Sequence, residues 1–380
     1  MMHEIAASDV GDTRGIGLRI AMVTARYPPF MGGIETHVRE VATRMAARGA
    51  DITILTTDTT GELPGHETSS GLVIRRFPAH PSGADLFWSP ALGRALRQGK
   101  YDLVHVQGVH TLLPRTALLA ARRSGVPTVL TFHTGGHSSR VRTAIRGTQW
   151  FMLSRQLRKV ERLVSVCEFE TLSFSRRLRV DRGRFTLIRN GADALPIDST
   201  GFQWSGSPLV LSIGRLEKYK GHHRVIRAMP TLLVTRPDAR LVIAGHGPYN
   251  APLRDLVAEL RIQDSVEFVS FAPEERGQLG ALIDASDVVV LMSEYEAHPV
   301  SVMEAVGLGK PVVVADTSGL SELGHAGLVN LVDLHATPSD VAAALLGAAP
   351  PDETGFGLTS WDQCADSLIE VYQQVLAGTS

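Results

Sequence analysis

Short, unbroken apolar runs recur along the chain, and longer amphipathic stretches separate them. LRIAMVTA (18–25) reads as a buried strand, too short and too uniformly apolar for a surface helix. RYPPFMGGIETHVREVATRMAARG follows, a Pro/Gly loop leading into an amphipathic helix that ends at Gly49. DITILTT (51–57), LVIRRFP (72–78) and YDLVHVQG (101–108) are further strands. TALLAARRSG is helical, and PTVLTFH (127–133), LVSVCE (163–168) and FTLIRNG (185–191) return to the strand pattern. Strands alternating with helices predict a parallel sheet covered on both faces.

The pattern lapses over ADALPIDSTGFQWSGSP (192–208), which is rich in Gly, Pro and Ser and has no period, the mark of a linker. It then restarts with PLVLSIG, a helix over 222–234, ARLVIAG, a helix over 251–260, and the runs VEFVSF, SDVVVLM and KPVVVAD. Two doubly wound α/β units in series are predicted, 18–195 and 196–358, their strand ends facing across a shared cleft. A last amphipathic helix, SWDQCADSLIEVYQQVLAG, lies in 359–380 beyond the loop APPDETGFG and is expected to cross back to the first unit.

A length of 380 residues agrees with two cores rather than one. An apolar fraction of 44% and a charged fraction of 20% are those of a globular protein. The formal net charge of −1 gives no reason to expect a nucleic-acid partner. Cys167 and Cys364 stand far apart, which makes neither a disulfide framework nor a metal site and fits a reducing, cytoplasmic compartment. No run approaches the ~18 apolar residues of a membrane span. Residues 1–17 carry Glu4, Asp9 and Asp12 and lack an apolar core, so they are read as a disordered leader and not a secretory signal.

Chemistry gathers at the expected strand ends. SEYEAHPVSVMEA (293–305) sets Glu296 and Glu304 on either side of a segment that otherwise resembles the buried start of a helix at Pro299. Two carboxylates facing a cleft need partners, and the segment supplies none of its own. SIGRLEKYKGHHRVI (212–226) places Gly214 and Arg215 after a strand and Lys220 before a helix, an arrangement suited to an anion and equally to a solvated turn. AGHGP (244–248), with Gly245 and Gly247, is too short for a dinucleotide fingerprint and reads as a close backbone approach. Gly32 and Gly33 open the first helix, where they permit a ligand near the backbone or simply close a loop. Glu35 and His37 read as helix-face residues. His133 ends a strand on the ligand side, with His110 and His137 ranking below it, and His298 stands between the two glutamates without other ligands at metal spacing. D-x-D, H-E-x-x-H, G-x-S-x-G and the P-loop are all absent. Between 140 and 190, thirteen cations face four acids, with Trp150, Phe151, Met152 and Leu153 nearby. The segment suits a solvated basic face or a peripheral contact with anionic lipid at the inner face of a membrane.

Taken in order, PPFMGGIETHV, IRNGAD, IGRLEKYKG, AGHGP, the E-x7-E of Glu296 and Glu304, GKPVVVADTSGLSE and the closing SW…VY resemble the family 4 retaining glycosyltransferases of the GT-B fold. The resemblance runs from residue 18 to 372 and rests on the ordered set, each motif being weak alone. It implies two Rossmann-like domains and transfer of a hexose-type sugar from a nucleotide diphosphate donor, UDP- before GDP-linked, to a hydroxyl acceptor left unidentified. It also implies retention by a front-face mechanism and no metal or other cofactor. By this resemblance Arg215 and Lys220 bind the diphosphate, Glu304 holds the ribose, and Glu296 lies near the donor sugar. Gly33 approaches the diphosphate across the cleft, and His133 stands near the reacting sugar. Gly32, Gly214, Gly245, Gly247, Ala297, His298, Pro299, Val300 and Ser301 complete the implied donor contacts. The family often has Gly-Phe-Gly or similar after the first glutamate; Ala297-His298-Pro299 here leaves the donor sugar open, and Ser270 replaces a common glycine. An epimerase of the same fold and a non-catalytic sugar-nucleotide-binding subunit are the competing readings, and a monomer or a homodimer fits equally.

Overall fold

The computed structural model describes residues 17–30, 32–81, 87–133, 150, 153–200, 204–351 and 358–378. Residues 1–16 of the leader read over 1–17, His137, Phe151, Met152 and the cations Arg140, Arg142 and Arg146 lie outside them. Gly17 is described, and its N–H donates to Gly49 O at 3.2 Å. Two sheets are present. The first joins β1 (Arg19–Val23), β2 (Asp51–Asp58), β3 (His66–Ser69), β4 (Leu72–Pro78), β5 (Leu103–Gln107), β6 (Thr128–Thr131), β7 (Arg162–Ser165) and β8 (Phe185–Leu187). Their order is β3-β4-β2-β1-β5-β6-β7-β8. The second joins β9 (Leu209–Ile213), β10 (Arg240–Ala244), β11 (Val266–Val269), β12 (Val288–Leu291), β13 (Val312–Ala315) and β14 (Asn330–Val332) in the order β11-β10-β9-β12-β13-β14. Pairing is parallel throughout except for the β3–β4 hairpin.

The period of two along each strand sorts the core into layers. Ile20 and Met22 face one side of the first sheet, against the helix Gly33–Ala47. Ala21 and Val23 face the other, against the helices Pro90–Gln98 and Leu113–Arg123. Both faces are therefore dry, and the strands read as continuous apolar runs instead of alternating ones. The second sheet is sandwiched in the same way, with Leu209, Leu211 and Ile213 on one side and Val210 on the other.

The closing helix, Trp361–Ala377, does return to the first sheet. Ser360 starts it through a reciprocal cap: its Oγ accepts from Gln363 N at 3.1 Å, and Gln363 Oε1 accepts from Ser360 N at 2.9 Å. Trp361, Cys364, Leu368 and Tyr372 then pack into the layer that holds Ile20 and Met22. Arg48 secures the outer edge by pairing with Asp362 and Asp366, each at 2.8 Å. The chain's two passages between the sheets are tied together: Ala192 N donates to Thr359 O (2.8 Å), Asp193 accepts from Trp361 N (3.1 Å), and Arg44 pairs with Asp193.

Several details differ from the sequence expectation. LVSVCE is not strand throughout, because β7 stops at Ser165 and Glu168 already opens the helix Glu168–Leu178. The helices Arg276–Ala285, Ser318–His325 and Pro338–Leu346 and the strand β3 carry no clear period and are not anticipated by it. Trp150 and Leu153, grouped above with the lipid-facing option, are buried in the core of the first unit. Part of the basic segment is spent internally: Arg158 donates to Leu178 O (2.7 Å), Arg162 to Gly183 O (2.9 Å) and Arg184 to Arg158 O (2.6 Å). Arg177 lies over the Trp150 ring at 4.4 Å. Among the described residues no helix is long and apolar enough to cross a membrane.

Candidate active site

A cleft of about 440 Å³ runs between the carboxyl ends of the two sheets. It lies where each sheet's strand order reverses, at β1/β5 and at β9/β12, the place where open parallel sheets leave a crevice. From the first unit it is lined by Gly32, Gly33 and Glu35 beyond β1, Gln107 and His110 around the end of β5, and His133 beyond β6. From the second it is lined by Gly214, Arg215 and Lys220 beyond β9, Gly245 beyond β10, Arg276, and the run Glu296, Ala297, His298, Pro299, Val300 and Ser301 with Glu304.

The two glutamates find their partners elsewhere in the fold. Pro299 is the cap residue of the helix Val300–Gly307, so Glu296 lies in the preceding loop and Glu304 inside the helix. Lys220 Nζ reaches Glu296 Oε1 at 2.5 Å, both side chains being largely buried. Burial presses the Lys220 ammonium toward neutrality, but the Glu296 carboxylate outweighs it and the net shift is upward. Glu304 pairs with Arg276, in the first turn of its helix. Burial lifts the Glu304 carboxyl above its ordinary value, and Arg276 pulls it part of the way back. Sequence reasoning misses Arg276, since APEERGQL reads as a polar loop and a partner 28 residues away leaves no periodic signal.

Glycines set the loop geometry by close approach of backbones. A Cβ on Gly319 would stand 1.7 Å from Ala297 O, and Gly319 N donates to Glu296 O at 3.0 Å. Ser318 Oγ completes that clamp, donating to Glu296 O (2.7 Å) and accepting from Glu296 N (2.9 Å). Gly245 (φ 154°) packs on Gly214 O, where a Cβ would sit at 2.0 Å. The AGHGP glycines are thus a close backbone approach, as their spacing suggested. Gly247, however, does not line the cleft: it packs against the Leu216 backbone, and its role is to let that loop turn.

Arg215 pairs with Glu217 at 3.0 Å, and its side chain is 42% exposed. Glu35 also lines the cleft, against the expectation of an ordinary helix-face residue; burial raises its carboxyl, while its own backbone N–H, Arg26 and Arg215 lower it. His133 is buried and has a left-handed backbone (φ 45°), a conformation uncommon outside glycine. Its Nε2 lies 2.8 Å from Gln107 Oε1, its carbonyl accepts from His110 Nε2 at 2.7 Å, and the His37 ring meets it edge-on at 4.4 Å. Burial drives the His133 imidazole well below its ordinary pKa, so it is neutral. His37 and His298 are likewise buried and pushed down by burial, to about 4 and about 3. Among the described residues no group of three or more His, Cys, Asp or Glu side chains is arranged to hold a metal ion.

Two parallel α/β units in series are also found in solved structures. The chain is similar to sucrose-phosphate synthase from Thermosynechococcus elongatus (TM-score 0.76, 20% identity, 95% of this chain and 100% of that one). It is similar as well to Anabaena HepE, solved in complex with UDP-glucose (TM-score 0.65, 18% identity, 95% and 99% covered). The fold is GT-B. In sequence it is 29% identical over 353 residues to glycogen synthase of Mycobacterium tuberculosis, covering 86% of this chain and 84% of that one. Residues 31–194 match the model "Glycosyltransferase Family 4" and residues 201–344 match "Glycosyl transferases group 1". The chain belongs to the family 4 glycosyltransferases.

Proposed function

We propose that the enzyme transfers a hexose from a nucleotide diphosphate sugar, with UDP as the nucleotide, to a hydroxyl acceptor, retaining the anomeric configuration. One observation carries this reading: the second unit presents Arg215, Lys220, Glu296 and Glu304 to a single cavity, opposite the first turn of the helix Gly33–Ala47. Arg215 and Lys220 then hold the diphosphate, with charge-assisted hydrogen bonds that strengthen as the leaving group gains charge. The first turns of the helices at Gly33 and Val300 also line the cavity and add positive dipole ends. Glu304 accepts from the ribose hydroxyls, Glu296 stands by the donor sugar, and the neutral His133 faces the reacting sugar from the first unit with a ring nitrogen free to accept a hydrogen bond. The departing phosphate oxygen takes the acceptor's proton on the face from which it leaves. Protein cations supply the charge that a metal supplies elsewhere. UDP-glucose bound to the Anabaena neighbour supports a nucleotide diphosphate sugar as donor and is compatible with UDP.

The test is a panel of UDP-, GDP-, ADP- and TDP-sugars followed by thermal shift and donor hydrolysis, with and without a chelator. A stabilising UDP-sugar that turns over in the chelator supports the reading, and proton NMR of the glycosylated product reads the configuration. No shift with any nucleotide sugar overturns it. Epimerised donor without transfer points to the epimerase alternative.

A further inference from the structure

In-register parallel strands put every second residue on one face, and on the first sheet this aligns a row of polar groups. Met22 is level with His105, His105 with Val129, and Gln107 with Thr131. His105 and Gln107 therefore share the face of Met22, beneath the closing helix, with Thr131 beside them. His105 is fully buried, and its two ring nitrogens lie 2.6 Å from Tyr372 Oη and 2.8 Å from Thr131 Oγ1. Gln107 spans the next gap, with its amide nitrogen 3.2 Å from His105 Nδ1 and its amide oxygen 2.8 Å from His133 Nε2. A continuous line of hydrogen bonds thus runs from the closing helix to the cleft.

The line has a direction. Tyr372 is fully buried, and among the described residues His105 Nδ1 is the hydrogen-bond partner of its hydroxyl. The phenol must donate there, because the reverse arrangement leaves a buried O–H without an acceptor. Nδ1 of His105 is then the accepting atom, its lone pair taken mainly by Tyr372, and Nε2–H donates to Thr131. The Gln107 amide nitrogen lies 3.2 Å from Nδ1 and 3.4 Å from Nε2. Turning its carbonyl oxygen there instead would set it against the Nδ1 lone pair, so Gln107 presents its NH₂ toward His105. Its carbonyl oxygen is left for His133, which must place its proton on Nε2.

We propose that Tyr372, His105 and Gln107 are positioning residues that fix His133 as the Nε2–H tautomer, leaving Nδ1 as the accepting atom. The catalytic consequence rests on the reading that His133 faces the reacting sugar; the tautomer itself does not. The closing helix thereby acts on the cleft, in addition to completing the core of the first unit.

The tautomer is read by long-range nitrogen–proton NMR of the full chain labelled at histidine, without donor, with His133 assigned by its loss in His133→Asn. The expected wild-type spectrum shows His133 with its proton on Nε2. In Tyr372→Phe the direction is released, His133 populates both tautomers, and kcat falls on the order of tenfold while donor KM changes by less than about twofold. Gln107→Glu retains an acceptor for Nε2–H but makes it charged, so the His133 titration moves upward. The other groups facing His133, namely His37, His105 and His110, are unchanged in that variant. An Nδ1–H tautomer in the wild type overturns the proposal, as does an unmoved His133 spectrum in folded Tyr372→Phe or Gln107→Glu. A tautomer that responds while turnover does not supports the relay and refutes the part given to His133 in the reaction.

Discussion

Lys220 and Glu296 form a largely buried ion pair on the cleft floor, with side chains 16% and 8% exposed and 2.5 Å apart. Lys220→Ala leaves the Glu296 carboxylate in a site that water barely reaches. Breaking a buried pair from one side costs about 3–5 kcal/mol, and the residual exposure here places the value near the lower end, about 3 kcal/mol. Replacing both members, Lys220→Met with Glu296→Gln, removes the orphaned charge and is expected to cost only about 1 kcal/mol. Urea unfolding of the wild type, Lys220→Met, Glu296→Gln and the double variant, without nucleotide, closes a double-mutant cycle whose coupling should be about 2–3 kcal/mol. Additive effects, with coupling under about 0.5 kcal/mol, refute the pairing. The cycle also shows why lost activity in Lys220→Ala alone is poor evidence of a donor contact: the fold loses stability first.

Three further outcomes follow from the same geometry. Arg276→Met removes the group that holds the raised Glu304 carboxyl down; UDP affinity measured by calorimetry should weaken and should fall further from pH 7 to pH 5, more steeply than in the wild type. Gly319→Ala forces a Cβ toward Ala297 O, so unfolding in urea should show a loss of about 1–3 kcal/mol, with weaker donor binding because Glu296 is displaced. His37 and His222 are held down to about 4 by burial, and His105 and His298 to about 3. Below their ordinary value near 6.5 the unfolded chain takes up protons that the folded one refuses. Stability is full above that pH and falls as pH drops toward about 4, at about 1.4 kcal/mol per histidine per pH unit. The urea midpoint should therefore fall steeply between pH 6.5 and pH 5 at constant m value; a flat profile contradicts the buried neutral histidines. Glu304 and Glu35, whose carboxyls are raised by burial, oppose this trend where they take up their protons.

The alternation of apolar runs and helices is enough to read the two sheets, because strands buried on both faces leave an unmistakable local pattern. The order of those strands depends on which neighbours pair, and no local pattern carries that. Arg215 and Lys220 are legible because they adjoin a strand end and a helix start, and Glu296 and Glu304 because two acids on either side of an otherwise apolar helix start stand out. Arg276 and Glu35 are not. Arg276 meets Glu304 only through the fold, and Glu35 is indistinguishable from any acid in a first turn until Arg26 and Arg215 face it. Gly247 misleads because close approach to a ligand and close approach to Leu216 require the same residue. Tyr372 enters the sequence reading only within the closing SW…VY pattern, and only the packing of the last helix on the sheet brings it to His105.

The central claim is that the cleft takes the diphosphate of a nucleotide sugar on Arg215 and Lys220. Calorimetric titration of the wild type and of Arg215→Ala with UDP and with UMP tests it most directly, since Arg215 is partly exposed and its loss spares the fold. Expected is UDP binding at least about tenfold tighter than UMP in the wild type, a difference of ~1.4 kcal/mol that Arg215→Ala largely abolishes. Equal affinities for UDP and UMP, or a preference for UDP untouched by the substitution, would contradict it.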